Sequence, residues 1–213
     1  MNFTKDTLLL YAVTDRSWAH GQTFYEQIES ALRGGVTLLQ LREKKLDDEA
    51  FLAEAVKVKD LCRSYGVPLI INDNVSVALK SGADGVHVGM EDAPVREIRR
   101  CADKGFLIGA TAKTVEQAKL AEATGADYIG VGAVFPSPTK KNAVRITTAQ
   151  LKEICASVSI PAVAIGGINL ENAGALTGGG MDGIAVISAL FATDNIEQAA
   201  ARLRAKAIEI TRG

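Results

Sequence analysis

Cysteine and histidine are scarce in this sequence, at three and two in 213 residues. Cys62, Cys101 and Cys155 have no C-x-x-C spacing and fall in stretches of helical pattern. That excludes a disulfide framework and leaves reduced, half-buried thiols of a reducing compartment. His20 and His87 alone make no recognisable zinc or iron site. Neither sign of charge is in excess, with 24 basic against 25 acidic residues and a formal net charge of -1. No global electrostatic footprint for nucleic acid results, so any anion site must be local. Long apolar runs are missing as well. The first, Leu8-Leu9-Leu10-Tyr11-Ala12-Val13, is followed closely by Asp15 and Arg16 and is too short for a membrane span or a signal peptide. The expectation is a cytoplasmic protein with no membrane anchor.

What the sequence does have is a 47% hydrophobic content, 20 glycines and a regular alternation. Short apolar, β-branched runs stand at Leu8–Val13, Thr37–Leu41, Pro68–Ile71, Gly85–Val88, Phe106–Ala110, Tyr128–Gly132, Ala162–Ile165 and Gly183–Ile187. Amphipathic stretches separate them. In Asp47–Tyr65, the apolar residues Phe51, Leu52, Ala55, Val58 and Leu61 recur at helical spacing. Thr114–Thr124, Thr147–Ser157 and Asn195–Thr211 have similar patterns, with Asp47 and Thr114 as N-caps. Strand-helix alternation with short connections predicts a parallel sheet covered by helices. About eight such units predict a closed (β/α)8 barrel, one domain over residues 1–213.

A weak internal repeat marks the passages from helix to strand: Gly82-Ala83-Asp84-Gly85-Val86, Gly125-Ala126-Asp127-Tyr128-Ile129 and Gly180-Met181-Asp182-Gly183-Ile184. Gly34-Gly35-Val36-Thr37-Leu38 matches them without the acid. Glycine ends a helix where φ must turn positive, and an apolar strand follows. These aspartates are structural punctuation and receive no catalytic role.

Barrel enzymes place their chemistry at the C-terminal ends of the strands. After the second strand, alternation puts Gln40, Arg42 and Lys44 on one face and Leu41 on the other. The amide can read the edge of a heterocycle, and the two cations can clamp phosphate oxygens. Lys45 reads as solvated. Asp73 follows the third strand and Asp92 the fourth, on adjacent strand ends. Two acids beside two cations fit a magnesium ion that takes one or two carboxylates, water and substrate phosphate. The sixth strand leads into Phe135-Pro136-Ser137-Pro138-Thr139-Lys140. Ser137 and Thr139 can donate to phosphate there, and Lys140 can neutralise a pyrophosphate leaving group. Gly166-Gly167 ends the seventh strand, and Ile187-Ser188 opens a short helix after the eighth, a backbone-amide pattern for a phosphate monoester. One cationic, metal-assisted anion site and one built from amides imply a transferase with a diphosphate leaving group and a phosphorylated acceptor.

Taken in order, Leu10-Tyr11-Ala12-Val13-Thr14-Asp15-Arg16, Gln40-Leu41-Arg42-Glu43-Lys44, Ile71-Asn72-Asp73, Gly85-Val86-His87-Val88-Gly89, Phe135-Pro136-Ser137-Pro138-Thr139-Lys140 and Ala164-Ile165-Gly166-Gly167-Ile168 resemble the thiamine-phosphate synthase family from the first strand to the last. The resemblance implies that 4-amino-2-methyl-5-hydroxymethylpyrimidine diphosphate is joined to 4-methyl-5-(2-hydroxyethyl)thiazole phosphate after diphosphate leaves. It also implies that Gln40 reads the pyrimidine and that Arg42, Lys44, Asn72 and Lys140 hold the diphosphate. Asp73 and Asp92 would carry Mg2+, and Ser137, Thr139, Gly167, Ile187 and Ser188 would surround the thiazole phosphate. Three positions depart from the family pattern: Met90 stands where glutamine is common, Thr111 replaces serine but keeps a hydroxyl in the pyrimidine-diphosphate site, and Lys113 stands where histidine is frequent. The partners implied are small phosphorylated heterocycles, with no nucleic acid or membrane and with self-association open. The rival readings are a thiazole tautomerase-like isomerase, which relies on a histidine near the fifth strand, and a non-catalytic phosphate-binding barrel.

Overall fold

The computed structural model describes residues 3–18, 21–89, 94–137 and 144–213. Eight strands, β1 (Leu10–Val13), β2 (Leu38–Leu41), β3 (Leu69–Asn72), β4 (Gly85–Val88), β5 (Leu107–Ala112), β6 (Tyr128–Gly132), β7 (Ala162–Ile165) and β8 (Gly183–Val186), pair in parallel, each with the next. β8 returns to β1 through Leu10 opposite Ile184, so the sheet closes into a barrel. The outer layer comprises α1 (Phe24–Arg33), α2 (Asp48–Ser64), α3 (Val75–Ser81), α4 (Val95–Cys101), α5 (Val115–Thr124), α6 (Thr148–Ala156), α7 (Ser188–Phe191) and α8 (Ile196–Arg212). Asp47, Thr114, Thr147 and Asn195 each accept a hydrogen bond from a first-turn backbone N–H, so the expected helices begin one residue later.

The barrel follows from the period-two split along each strand. Tyr11, Leu38, Ile70, Tyr128, Val163 and Ala185 point inward and fill the interior. Leu10, Leu39, Leu41, Ile71, Val86 and Ile129 point outward into the layer shared with the helices. The sequence pattern placed a single strand over Leu8–Val13. Instead, Lys5–Leu8 forms a 3-10 turn before β1, because Leu8 leaves the sheet to pack inside the barrel. The fifth strand extends to Ala112, which brings Thr111 into the sheet.

The repeat has a structural role beyond punctuation. Asp84 Oδ2 accepts the Leu69 N–H at 2.7 Å, Asp127 Oδ2 that of Ile108 at 2.7 Å, and Asp182 Oδ2 that of Ala162 at 3.0 Å. In each case the residue before an even-numbered strand captures a backbone donor at the start of the preceding odd-numbered one. Thr37, the member without the acid, does the same with its hydroxyl, accepting the Leu10 N–H at 2.9 Å. Lys59, Arg99 and Lys5 balance the three carboxylates. All of this lies at the N-terminal end of the barrel, where such features serve stability rather than chemistry.

The cysteines divide where three half-buried thiols were expected. Cys62 on α2 and Cys155 on α6 are buried, and burial pushes both thiols up to about 12, whereas Cys101 at the end of α4 is exposed. Thiolate, not thiol, is the reactive form. Titration of the native protein with a disulfide reagent is therefore expected to modify one thiol per chain rapidly, and three after guanidinium denaturation. Two or more rapid equivalents in the native state would contradict this packing. Among the described residues no helix is long and apolar enough to cross a membrane.

Candidate active site

The exits of β1, β2 and β3 form one cluster. Gln40 points into the barrel, only 4% exposed, and its Nε2 donates to Tyr11 Oη at 2.6 Å. Arg42 follows β2. Its backbone N–H is held by Thr14 Oγ1 at 3.0 Å, and its guanidinium lies 3.3 Å from Asp15 Oδ2. Lys44 Nζ reaches Asp73 Oδ2 at 2.7 Å across to the β3 exit. Lys44, Asn72 and Asp73 line one open cavity of about 530 Å³ between these loops, large enough for a phosphorylated ring.

Glu43, between the two cations, borders the same cavity. Its side chain is 4% exposed and accepts from Arg16 Nε at 2.6 Å. The Arg16 guanidinium also meets Glu54 of α2 and lies 3.8 Å over the Phe24 ring, and Tyr25 Oη donates to Glu54 at 2.6 Å. Burial beside that carboxylate holds the Tyr25 phenol above its ordinary range. The Arg42–Lys44 segment is thus anchored from behind to α1, α2 and the β1 loop. The sequence pattern gives Thr14, Asp15, Arg16 and Glu54 no role, because their contacts join segments 27 to 38 residues apart.

Asp73 is, among the described residues, the one non-glycine with a left-handed backbone, at φ +62°. Aspartate tolerates this conformation at some cost, and such strain gathers where function fixes a side chain. The Asp73 N–H donates to the His87 carbonyl at 2.9 Å. His87 itself faces inward between Tyr128 Oη (3.2 Å from Nδ1) and Thr111 Oγ1 (3.2 Å from Nε2). Burial pushes its imidazole down to about 4 despite the opposing pull of Asp73, so it is neutral at pH 7. Lys113 lies just past β5, with its backbone N–H held by Gln117 Oε1 at 2.7 Å.

Across the mouth, the exits of β6, β7 and β8 enclose a second cavity of about 30 Å³, lined by Ser137, Gly166, Gly167, Ile187 and Ser188. It has room for a few oxygen atoms and not for a ring. The loop after β6 lies against the glycines: the Phe135 N–H donates to the Gly166 carbonyl at 2.9 Å. Asn172 Nδ2 holds the Gly167 carbonyl at 2.8 Å, a brace that nothing in the strand pattern marks. Ser137, Gly167, Ile187 and Ser188 therefore share one pocket, and Lys44, Asn72 and Asp73 another. Asp92, Thr139 and Lys140 lie outside the described residues, as do Met90 and His20.

Residues 10–190 match the family model described as Thiamine monophosphate synthase. The chain is 45% identical over 200 residues to a thiamine-phosphate synthase of Coprothermobacter proteolyticus, spanning 94% of this chain and 95% of that one. With the thiamine-phosphate synthase of Methanobrevibacter smithii it shares 46% identity over 188 residues, spanning 88% and 90%. A thiamine phosphate pyrophosphorylase structure from Pyrococcus furiosus superimposes with a TM-score of 0.89 at 38% identity, covering 97% of this chain and 98% of that one.

Proposed function

The chain belongs to the thiamine monophosphate synthase family, and from that premise we propose that it condenses 4-amino-2-methyl-5-hydroxymethylpyrimidine diphosphate with 4-methyl-5-(2-hydroxyethyl)thiazole phosphate, releasing pyrophosphate. The observation that supports this reading is a pair of unlike pockets at the strand exits, one wide and one small. The first is wide, with Lys44 beside the carboxylates of Glu43, Asp48 and Asp73 along its lining, and Arg42 is anchored next to it at the same strand exit. The second is small and has Gly166, Gly167, Ser137 and Ser188 in its lining.

In this reading Gln40 uses the amide atoms left over from its bond to Tyr11 to orient the pyrimidine. Arg42, Lys44, Asn72, Thr111 and Lys140 hold the diphosphate. The dominant chemical problem is the negative charge that develops as the diphosphate departs, and fixed cations oriented toward it lower that barrier without a general base. The pyrimidine left behind is a carbocation, which the thiazole nitrogen captures. Ser137, Thr139, Gly167, Ile187 and Ser188 hold the thiazole phosphate so that the nitrogen faces the reacting carbon.

Asp73 and Asp92 would hold a magnesium ion, which when bound would neutralise diphosphate oxygens. The donor chemistry fits. Asp73 is a hard oxygen ligand one-third exposed at the rim of the diphosphate pocket. Among the described residues no group of three His, Cys, Asp or Glu could hold a metal by itself. Magnesium usually needs only one or two carboxylates, with water and substrate phosphate completing the shell.

Incubation of the purified protein with both substrates and magnesium should yield thiamine phosphate, detected by chromatography. EDTA should abolish the product, and Asp73→Ala or Asp92→Ala should reduce turnover by at least about a hundredfold. Product that persists in EDTA would remove the metal from this reading. No product at all, with the thiazole phosphate still bound, would leave a phosphate-binding barrel.

A further inference from the structure

The interior of the barrel contains a polar chain that neither pocket accounts for. His87, Gly109 and Tyr128 stand side by side on β4, β5 and β6. A Cβ at Gly109 would fall 2.4 Å from Tyr128 Oη and 2.5 Å from His87 Nδ1. The missing side chain lets two residues on non-adjacent strands meet, with ring centroids 5.5 Å apart. Gly130, beside Thr111, gives the same clearance to the other edge of the imidazole, where a Cβ would lie 3.1 Å from His87 Cε1. Two inward glycines on neighbouring strands thus make room for one hydrogen-bonded path. It runs from Gln40 Nε2 to Tyr11 Oη (2.6 Å), Tyr128 Oη (2.8 Å), His87 Nδ1 (3.2 Å) and, from Nε2, to Thr111 Oγ1 (3.2 Å).

Counting protons gives the path a direction. Gln40 Nε2 can only donate, so Tyr11 Oη accepts from it. Both phenols are buried and keep their protons, since burial raises each above its ordinary range. If Tyr128 donated to Tyr11, neither Tyr128 Oη nor Gln40 Nε2 could accept the Tyr11 proton, at the cost of an unmade buried hydrogen bond. Tyr11 therefore donates to Tyr128, and Tyr128 donates to His87 Nδ1. With Nδ1 accepting from Tyr128, the imidazole carries its ring proton on Nε2 and gives it to Thr111. With a lone pair of Oγ1 occupied, the Thr111 hydroxyl proton is left to point elsewhere.

We propose that Tyr128 is a positioning residue: by holding His87 in the Nε2–H tautomer it makes Thr111 a hydrogen-bond donor to the diphosphate of the pyrimidine substrate. The role of Thr111 rests on the synthase reading; the tautomer does not. The chain links the residue that would orient the pyrimidine ring to one that would hold its diphosphate, so both ends of one substrate are set by a single network inside the barrel.

The test pairs spectroscopy with kinetics. Long-range nitrogen-15 to proton NMR of histidine-labelled protein at pH 7, assigned with His87→Gln, should show a pyridine-type Nδ1 and a pyrrole-type Nε2 for His87. In Tyr128→Phe the two nitrogens should move toward tautomer-averaged shifts while the thermal midpoint confirms a folded protein. Tyr128→Phe should raise KM for the pyrimidine diphosphate about tenfold, the scale of one hydrogen bond, with KM for the thiazole phosphate unchanged. Thr111→Ser should retain activity, Thr111→Val should lose as much as Tyr128→Phe, and the double variant should lose no more than Thr111→Val alone. A wild-type His87 protonated on Nδ1, or additive losses in the double variant, would overturn the proposal. An inactive wild-type protein with the expected nitrogen pattern would instead fail the synthase reading and leave the tautomer assignment standing.

Discussion

Arg42→Ala should lower kcat/KM for the pyrimidine diphosphate about a thousandfold, the scale on which removal of a fixed donor or cation from a departing anion is felt. Arg42 is not a free surface cation that a neighbouring lysine could replace. Its backbone is fixed by Thr14, and Asp15 engages one end of the guanidinium at 3.3 Å, with the two side chains only 26% and 12% exposed. Five N–H donors on a planar fork leave several aimed elsewhere once Asp15 has taken its share. Arg42→Lys keeps the charge but loses the fork, so it should recover only part of the loss, to about a hundredfold below wild type. Asp15 adds a second readout. Arg42→Ala strands a mostly buried carboxylate, at a cost of about 1–3 kcal/mol, and Arg42→Ala combined with Asp15→Asn should restore the thermal midpoint without restoring turnover. If kcat/KM stayed within tenfold of wild type at saturating thiazole phosphate, Arg42 would have no part in holding the diphosphate. Recovery of both properties in the double variant would mean that the effect of Arg42 is structural.

How much of this was legible beforehand depends on the distance over which each contact acts. The barrel was legible because strands and helices write local periods, and because alternation alone places Tyr11, Leu38 and Gln40 on the inner face. The strand exits were legible for the same reason, and Lys44 does face Asp73. The supports behind them were not. Glu43 reads in sequence as one more charge in a charged loop, yet it is nearly fully buried against Arg16, a residue 27 positions away. The aspartates of the repeat were recognised as structural, but their bonds to the preceding strands span 15 to 20 residues and leave no local trace. His87 shows the limit most clearly. Its inward direction follows from alternation, but its partner Tyr128 sits two strands away and is reached only because Gly109 has no side chain. A glycine inside an apolar strand signals close approach by another group, and that signal at Gly109 and Gly130 could have pointed to the polar chain.

The glycine pair at the β7 exit sets the other large effect. Gly167 has φ +63°, a left-handed backbone that costs other residues about 1–2 kcal/mol. A Cβ there would fall 2.1 Å from the Pro136 carbonyl oxygen and 2.8 Å from that of Phe135. Both obstacles are backbone, so the loop after β6 must move, and that loop carries Ser137 into the small pocket. Gly167→Ala should therefore do two things at once. The thermal midpoint should drop by about 10 °C, from strain and clash together. The kcat/KM for the thiazole phosphate should fall at least about a hundredfold, because the oxygen-sized cavity is deformed. Gly178 supplies the control. Its φ of +75° imposes the same left-handed penalty, but nothing lies within 4 Å of the added Cβ. Gly178→Ala should cost only about 2–4 °C and leave turnover intact. Equal losses in the two variants would reduce the role of Gly167 to backbone conformation. A destabilised Gly167→Ala protein with unchanged KM and kcat for the thiazole phosphate would place that phosphate somewhere other than the β7–β8 pocket. Only the combined loss, confined to Gly167, ties the close packing of the β6 loop to the grip on the acceptor.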